Sequence, residues 1–147
     1  MTVETIVNHK SAKIAAIIES FQGRELNPHY LGYFECFNQQ LFFEAHEVLE
    51  VLWLRKRGAA DELFYKGLIQ LAGAFVHLQK QRPKPAAALF KLALGNLGHF
   101  GAVYELLEIE RVQELIHTWL ARLGTGAWDG TLPDDVLPKL RLSNSPA

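Results

Sequence analysis

A histidine and a glutamate spaced one helical turn apart are the first residues in this chain that could do chemistry. His46 and Glu50 lie in the stretch Asn38–Trp53, NQQLFFEAHEVLEVLW, which otherwise has the apolar pattern of a buried helix. At 100° per residue they share a face with Phe42 and Trp53. Because a buried charge is costly unless it is paired or liganded, both side chains should have partners.

Two interpretations of this pair stay open. In the structural interpretation, His46 and Glu50 are buried polar groups that form hydrogen bonds to each other or to a neighbouring helix. These bonds fix the register of the two helices. In the chemical interpretation they form half of a metal site or of a general-base site, because neutral imidazole and carboxylate are both good metal ligands. Their spacing alone does not decide between the two.

A second group of polar residues lies along the helix predicted over residues 62–81. Lys66, Gln70, Gly73 and His77 share one side of that helix, opposite a wide apolar arc. A solvent-exposed face is the simplest interpretation of this polar side. Gly73, however, costs about 1 kcal/mol of helix propensity relative to alanine, so a glycine here suggests that another backbone or a ligand approaches closely.

One functional hypothesis is a small metal-dependent or small-molecule-binding enzyme. Its site would lie between the helices predicted over residues 41–56 and 62–81. Antiparallel packing of these helices would bring His46 near His77. Together with Glu50, these two histidines could hold a divalent metal ion, which is the only cofactor that the hypothesis implies.

The same hypothesis assigns roles to the neighbouring residues. Glu47 and His46 would be the catalytic residues, with Glu47 as the general base. Gln70, which antiparallel packing places nearer Glu50, would contact the substrate or support the metal ligands. The predicted ligand-binding cluster as a whole is His46, Glu50, Gln70, His77 and Trp53.

The other hypothesis, which we favour, is a non-catalytic helical module that binds a partner or associates with itself. Here His46 and Glu50 are buried structural groups, and the expected partner is a second copy of the chain, with an unidentified protein or small molecule as the alternatives. Several aromatic residues without an obvious core role favour self-association. They are Tyr33, Phe100, Tyr104 and Trp128.

Composition and charge are those of an ordinary folded domain. The 147 residues are 49% hydrophobic and 21% charged, which is enough for one domain with a proper core. The 15 basic and 16 acidic residues nearly cancel. Neither nucleic acid nor an anionic membrane is therefore an expected partner.

The sequence predicts a cytoplasmic protein. Its one cysteine, Cys36, excludes an internal disulfide and suits a reducing compartment. Aromatic neighbours make Cys36 a buried, inert thiol rather than a nucleophile. Residues 1–10 lack the apolar segment of a secretory signal, and the longest apolar run, Gly67–Leu78, is too short and too polar to span a bilayer.

The spacing of apolar residues predicts an all-α, single-domain bundle of about six helices. No segment has the period-two alternation of a half-buried strand. The helix over residues 62–81 is apolar around about 220° of its circumference, so it should be the central helix, surrounded by the others. Asn27 and Pro28 predict a helix start, and Asp61 is a predicted N-cap.

Two motifs in order resemble those of the DUF309 family of small all-helical proteins. They are FEAHE-x-x-E-x-x-W, which matches Phe43–Trp53, and GLIQ-x-A followed by a histidine, which matches Gly67–Ala72 and His77. The resemblance extends over about Leu31 to Leu123. It implies a bundle in which one helix is surrounded by others, and it implies no known reaction.

The chain therefore divides into three predicted segments. Residues 1–24 form an N-terminal helix packed on the bundle, and residues 25–123 form the DUF309-like helical core. Residues 124–147 form a C-terminal tail whose glycines and prolines exclude a long helix and which lies over the bundle.

Overall fold

The all-α prediction is confirmed. The computed structural model describes residues 12, 14–16, 26–126, 128–132 and 138–143. Five helices have described bounds: α1 Pro28–Asn38, α2 Phe42–Arg55, α3 Glu62–Gln79, α4 Pro83–Leu97 and α5 Ile109–Gly124. Residues 12 and 14–16 are also helical, whereas the rest of the predicted first helix lies outside the described residues. A 3-10 turn, Gly98–Phe100, and two short strands, β1 Val103–Tyr104 and β2 Leu107–Glu108, connect α4 to α5.

Helix α3 is the centre of the bundle, as its apolar circumference predicts. It packs against both α2 and α4. The ring of Phe75, near its C-terminal end, contacts one aromatic ring from each of the other four helices. The ring centroids of Phe37 and Phe42 lie 5.7 and 5.0 Å away, and those of Phe90 and Trp119 lie 5.1 and 5.7 Å away.

Two glycines of α3 let α4 approach closely. A Cβ atom on Gly67 would lie 2.9 Å from Cγ of Leu97, which is fully buried. A Cβ atom on Gly73 would lie 3.1 Å from Cδ1 of Leu89. The close approach expected at Gly73 is therefore made by a side chain of α4, neither by backbone nor by a ligand.

The predicted helix starts differ in how they are capped. The Asn27 side chain accepts a hydrogen bond from the backbone N–H of His29 at 2.8 Å, and Pro28 occupies the first turn, as predicted. Asp61 does precede α3, but its side chain makes no capping hydrogen bond. Its carboxylate instead lies 3.3 Å from Nζ of Lys56, so it ties the end of α2 to the start of α3.

The prediction that four aromatic residues lack a core role was wrong. All four pack into or against the core: Tyr33, Phe100, Tyr104 and Trp128. Tyr33 is fully buried and its hydroxyl donates to the carbonyl of Leu68 at 2.6 Å. Burial raises its pKa well above the ordinary value, so the hydroxyl stays protonated as a donor. The rings of Phe100 and Tyr104 lie 5.5 and 4.7 Å from that of Phe64, because the connection after α4 folds back over the start of α3.

A two-stranded hairpin and the tail complete the described fold. Strands β1 and β2 pair antiparallel through Val103–Glu108 and Tyr104–Leu107. Leu142 forms an isolated bridge to Leu107 on the same hairpin. Two residues per strand are too few to produce a period-two signal, which is why the sequence did not predict them.

The tail is attached to α1 by one asparagine. The Nδ2 group of Asn38 donates to the carbonyl of Leu140, and its Oδ1 accepts from the N–H of Leu140, both at 2.7 Å. Leu140 and Leu142 are buried, whereas the residues that precede them, Lys139 and Arg141, are exposed. Residues 138–143 therefore lie against the bundle in an extended conformation with alternate side chains inward.

Candidate functional site

Four residues of α2 form one continuous line along its surface. They are Phe43, His46, Glu50 and Trp53, and we call them the α2 strip. They fall within about 80° of the helix circumference, so they share one side of α2. Phe43 is 41% exposed, and the other three are half-buried. His46 and Glu50 are therefore at the boundary between core and solvent, not inside the core as the structural interpretation expects.

Two polar atoms of the α2 strip lack hydrogen-bond partners. His46 Nδ1 and Trp53 Nε1 are both buried from solvent, and neither has a hydrogen-bond partner in the described structure. No hydrogen bond joins His46 to Glu50, although both residues are described. An unpartnered buried polar group costs about 1–3 kcal/mol. Because both atoms are shielded from solvent within the chain, they are not themselves open to a second molecule.

The polar side of α3 does not face the α2 strip. The Oε1 atom of Gln70 accepts a hydrogen bond from Nδ2 of Asn96 on α4 at 2.7 Å. Gly73, on the same side, lies against Leu89 of α4. This side of α3 is therefore covered by α4, because the two glycines allow that helix to pack there. Antiparallel packing of α2 and α3 does not bring Glu50 and Gln70 into a hydrogen bond.

The predicted metal set is not assembled within one chain. Among the described residues, which include His46, Glu50 and His77, no group of three or more His, Cys, Asp and Glu side chains could hold a metal ion. His77 lies at the C-terminal end of α3, where its Nδ1 atom has no hydrogen-bond partner. Burial lowers the pKa of His77, and the charges of Arg82 and Lys80 lower it further. A neutral imidazole is thus favoured there.

A groove opens at the N-terminal end of α2. It has a volume of about 480 Å³ and is lined by Gln40, Leu41, Phe42, Phe43, Glu44, Val76, Gln79 and Lys80. The Oε1 atom of Gln40 is buried there without a partner. Glu44 and Lys80 contribute opposite charges to the lining, so the groove has no strong preference for one sign of ligand.

Sequence reasoning missed the apolar residues on the outer surface of α2. Val51 and Leu54 are 39% and 53% exposed, and these two large aliphatic side chains are neighbours on the helix surface. With Phe43 and half-buried Glu47 they extend the α2 strip sideways. We call the whole surface the outer face of α2, comprising Phe43, His46, Glu47, Glu50, Val51, Trp53 and Leu54. Helical spacing places Val51 and Leu54 on the same side of α2 as Glu47 and away from Leu49, so the sequence already indicated that they would be exposed.

Fold and site together define a small helical-bundle protein with a candidate binding face on its second described helix. Residues 30–89 match the family model described as "Domain of unknown function (DUF309)". The resemblance predicted from the two motifs is thereby confirmed over a segment that begins in the first turn of α1 and contains α2 and α3, and the match ends within α4 rather than near Leu123. No curated protein and no solved structure matches the chain. Within the described residues, no helix has the length and apolar character needed to cross a membrane.

Proposed function

We propose that this protein is a helical interaction module that associates with a second copy of itself through the outer face of α2. The observation that carries the proposal is the exposure of Val51 and Leu54, which lie next to each other on the outer face of α2, with exposed Phe43 about two to three helical turns away on the same face. Contiguous apolar side chains on a soluble surface mark interaction sites more often than isolated ones do. A homo-oligomer buries such a face without requiring any other component.

The half-buried rings of the α2 strip support the same proposal. His46 and Trp53 border the exposed apolar residues, so one contact with a partner would also cover the exposed parts of these two side chains. In the proposed module they are interface groups. We further propose that the protein functions in the cytoplasm, which is supported by a single cysteine, Cys36, whose thiol is fully buried.

Replacement of Leu54 by aspartate tests this function. The Leu54 side chain is 53% exposed, so Leu54→Asp should change the midpoint of thermal unfolding of the single chain only slightly. It would place a charge in the apolar part of the proposed interface, and we expect it to weaken self-association by at least about tenfold. Light scattering coupled to size-exclusion chromatography, over a series of loading concentrations, measures the change.

The matched control is Leu92→Asp on α4. Leu92 is 54% exposed and carries the same side chain, but it lies on a different helix. We expect this variant to associate as the wild type does. Equal loss of association in both variants would mean that a general effect of added charge is at work, and equal retention in both would exclude the outer face of α2 as the interface.

A further inference from the structure

The α2 strip has a pattern that is symmetric about its own middle. Its residues are at positions 43, 46, 50 and 53. Positions 43 and 53 are equally far in sequence from Val48, and so are positions 46 and 50, and we call the two members of each such pair mates. The two end positions are both aromatic, Phe43 and Trp53. The two inner positions are His46 and Glu50, a basic and an acidic group that can bond to each other. In an antiparallel pair of identical helices, these are the residues that meet across the two-fold axis.

We propose that two copies of this protein associate through antiparallel α2 helices related by a two-fold axis at the level of Val48. This arrangement rests on the proposed function and specifies its geometry. Each residue of the strip then faces its mate on the second copy. His46 faces Glu50 of the second copy, Glu50 faces His46, and Phe43 and Trp53 face each other at both ends.

The pairing brings complementary groups together across the axis. The half-buried side chains of His46 and Glu50 meet, and imidazole and carboxylate can form a charge-assisted hydrogen bond. The contact occurs twice because the axis repeats it. The exposed surface of Phe43 is covered by an indole ring, a favourable aromatic contact at the edge of the interface.

The same pattern excludes the parallel arrangement. Parallel helices in register would place His46 against His46 and Glu50 against Glu50, which is unfavourable at both positions. A shift of the antiparallel register by one turn would separate both polar pairs at once. The strip therefore specifies one orientation and one register, which is the role best attested for isolated polar groups in helical interfaces.

The charge pattern can be tested with two single variants and their mixture. His46→Glu places carboxylates opposite each other at both contacts, and Glu50→His places imidazoles opposite each other. We expect each variant alone to dimerise at least about tenfold more weakly than wild type. In an equimolar mixture, both contacts of the mixed dimer become Glu–His, so the mixture should regain an affinity close to that of wild type.

A matched control uses an exposed pair on α5. Glu114→His and His117→Glu make the same two chemical changes on surface residues outside the strip. These variants should dimerise as wild type does, alone and mixed. If a single variant in the strip does not fold, the double variant His46→Glu/Glu50→His serves instead, because each chain keeps one residue of each kind. It should dimerise with itself and not with wild type.

The outcomes separate the two proposals. Wild-type protein that stays monomeric at every concentration would overturn the proposed function and this geometry together. Wild-type dimers whose single variants do not recover on mixing, or a double variant that pairs equally well with wild type, would overturn the geometry alone. Recovery on mixing that is confined to the strip variants supports the antiparallel two-fold.

Discussion

Phe75→Ala is expected to lower the free energy of unfolding by about 3–5 kcal/mol. Phe75 is fully buried, and its ring is the point at which aromatic side chains from the other four described helices meet. Removing the ring leaves a cavity that none of these rigid neighbours can fill without moving a helix. The loss is measured by urea unfolding followed by circular dichroism, with the midpoint and slope compared with those of wild type.

Leu92→Ala is the control for this substitution. Its side chain is 54% exposed, so its truncation should change the free energy of unfolding by no more than about 0.5 kcal/mol. A loss below about 1 kcal/mol for Phe75→Ala would contradict the assignment of this ring to the centre of the core.

Asn38→Ala is expected to release the C-terminal tail and to lower the free energy of unfolding by about 2 kcal/mol. The Asn38 side chain makes two hydrogen bonds of 2.7 Å to the backbone of Leu140, one as donor and one as acceptor. Alanine can make neither bond. Residues 138–143 would then be held on the bundle by the burial of Leu140 and Leu142, by the bridge of Leu142 to Leu107 and by the hydrogen bonds of Ser143 to the Leu106 carbonyl.

Amide hydrogen exchange measures this effect where it occurs. The N–H of Leu140 should be protected in wild type and should exchange rapidly in Asn38→Ala. The neighbouring Gln39→Ala, at an exposed position, should leave that protection unchanged. Continued protection of Leu140 in Asn38→Ala would show that the tail is held by its other contacts and not by the asparagine.

Local patterns predicted most of the helices. The apolar circumference of residues 62–81 identified the central helix because a helix with so little polar surface must be enclosed by others. Asn27 and Pro28 predicted the start of α1, because helix capping by asparagine and the fixed φ of proline involve only neighbouring residues. These features need no knowledge of the rest of the chain, so the sequence contains them in full.

The site could be predicted only in part. Helical spacing placed His46, Glu50 and Trp53 on one side of α2, and the structure agrees. Helical spacing gives the side of α3 on which Gln70 lies, but not which helix packs against that side. That choice depends on how closely Gly67 and Gly73 allow α4 to approach, which is a property of two surfaces together. The contact of Asn38 with Leu140, a hundred residues apart in sequence, is non-local for the same reason.

Sedimentation equilibrium of the wild-type protein measures its self-association most directly. The protein should be measured over about a hundredfold range of concentration in reducing buffer, so that a reversible monomer–dimer equilibrium is visible. We expect an apparent mass that rises with concentration toward twice that of one chain. A mass equal to one chain at every concentration would contradict this expectation.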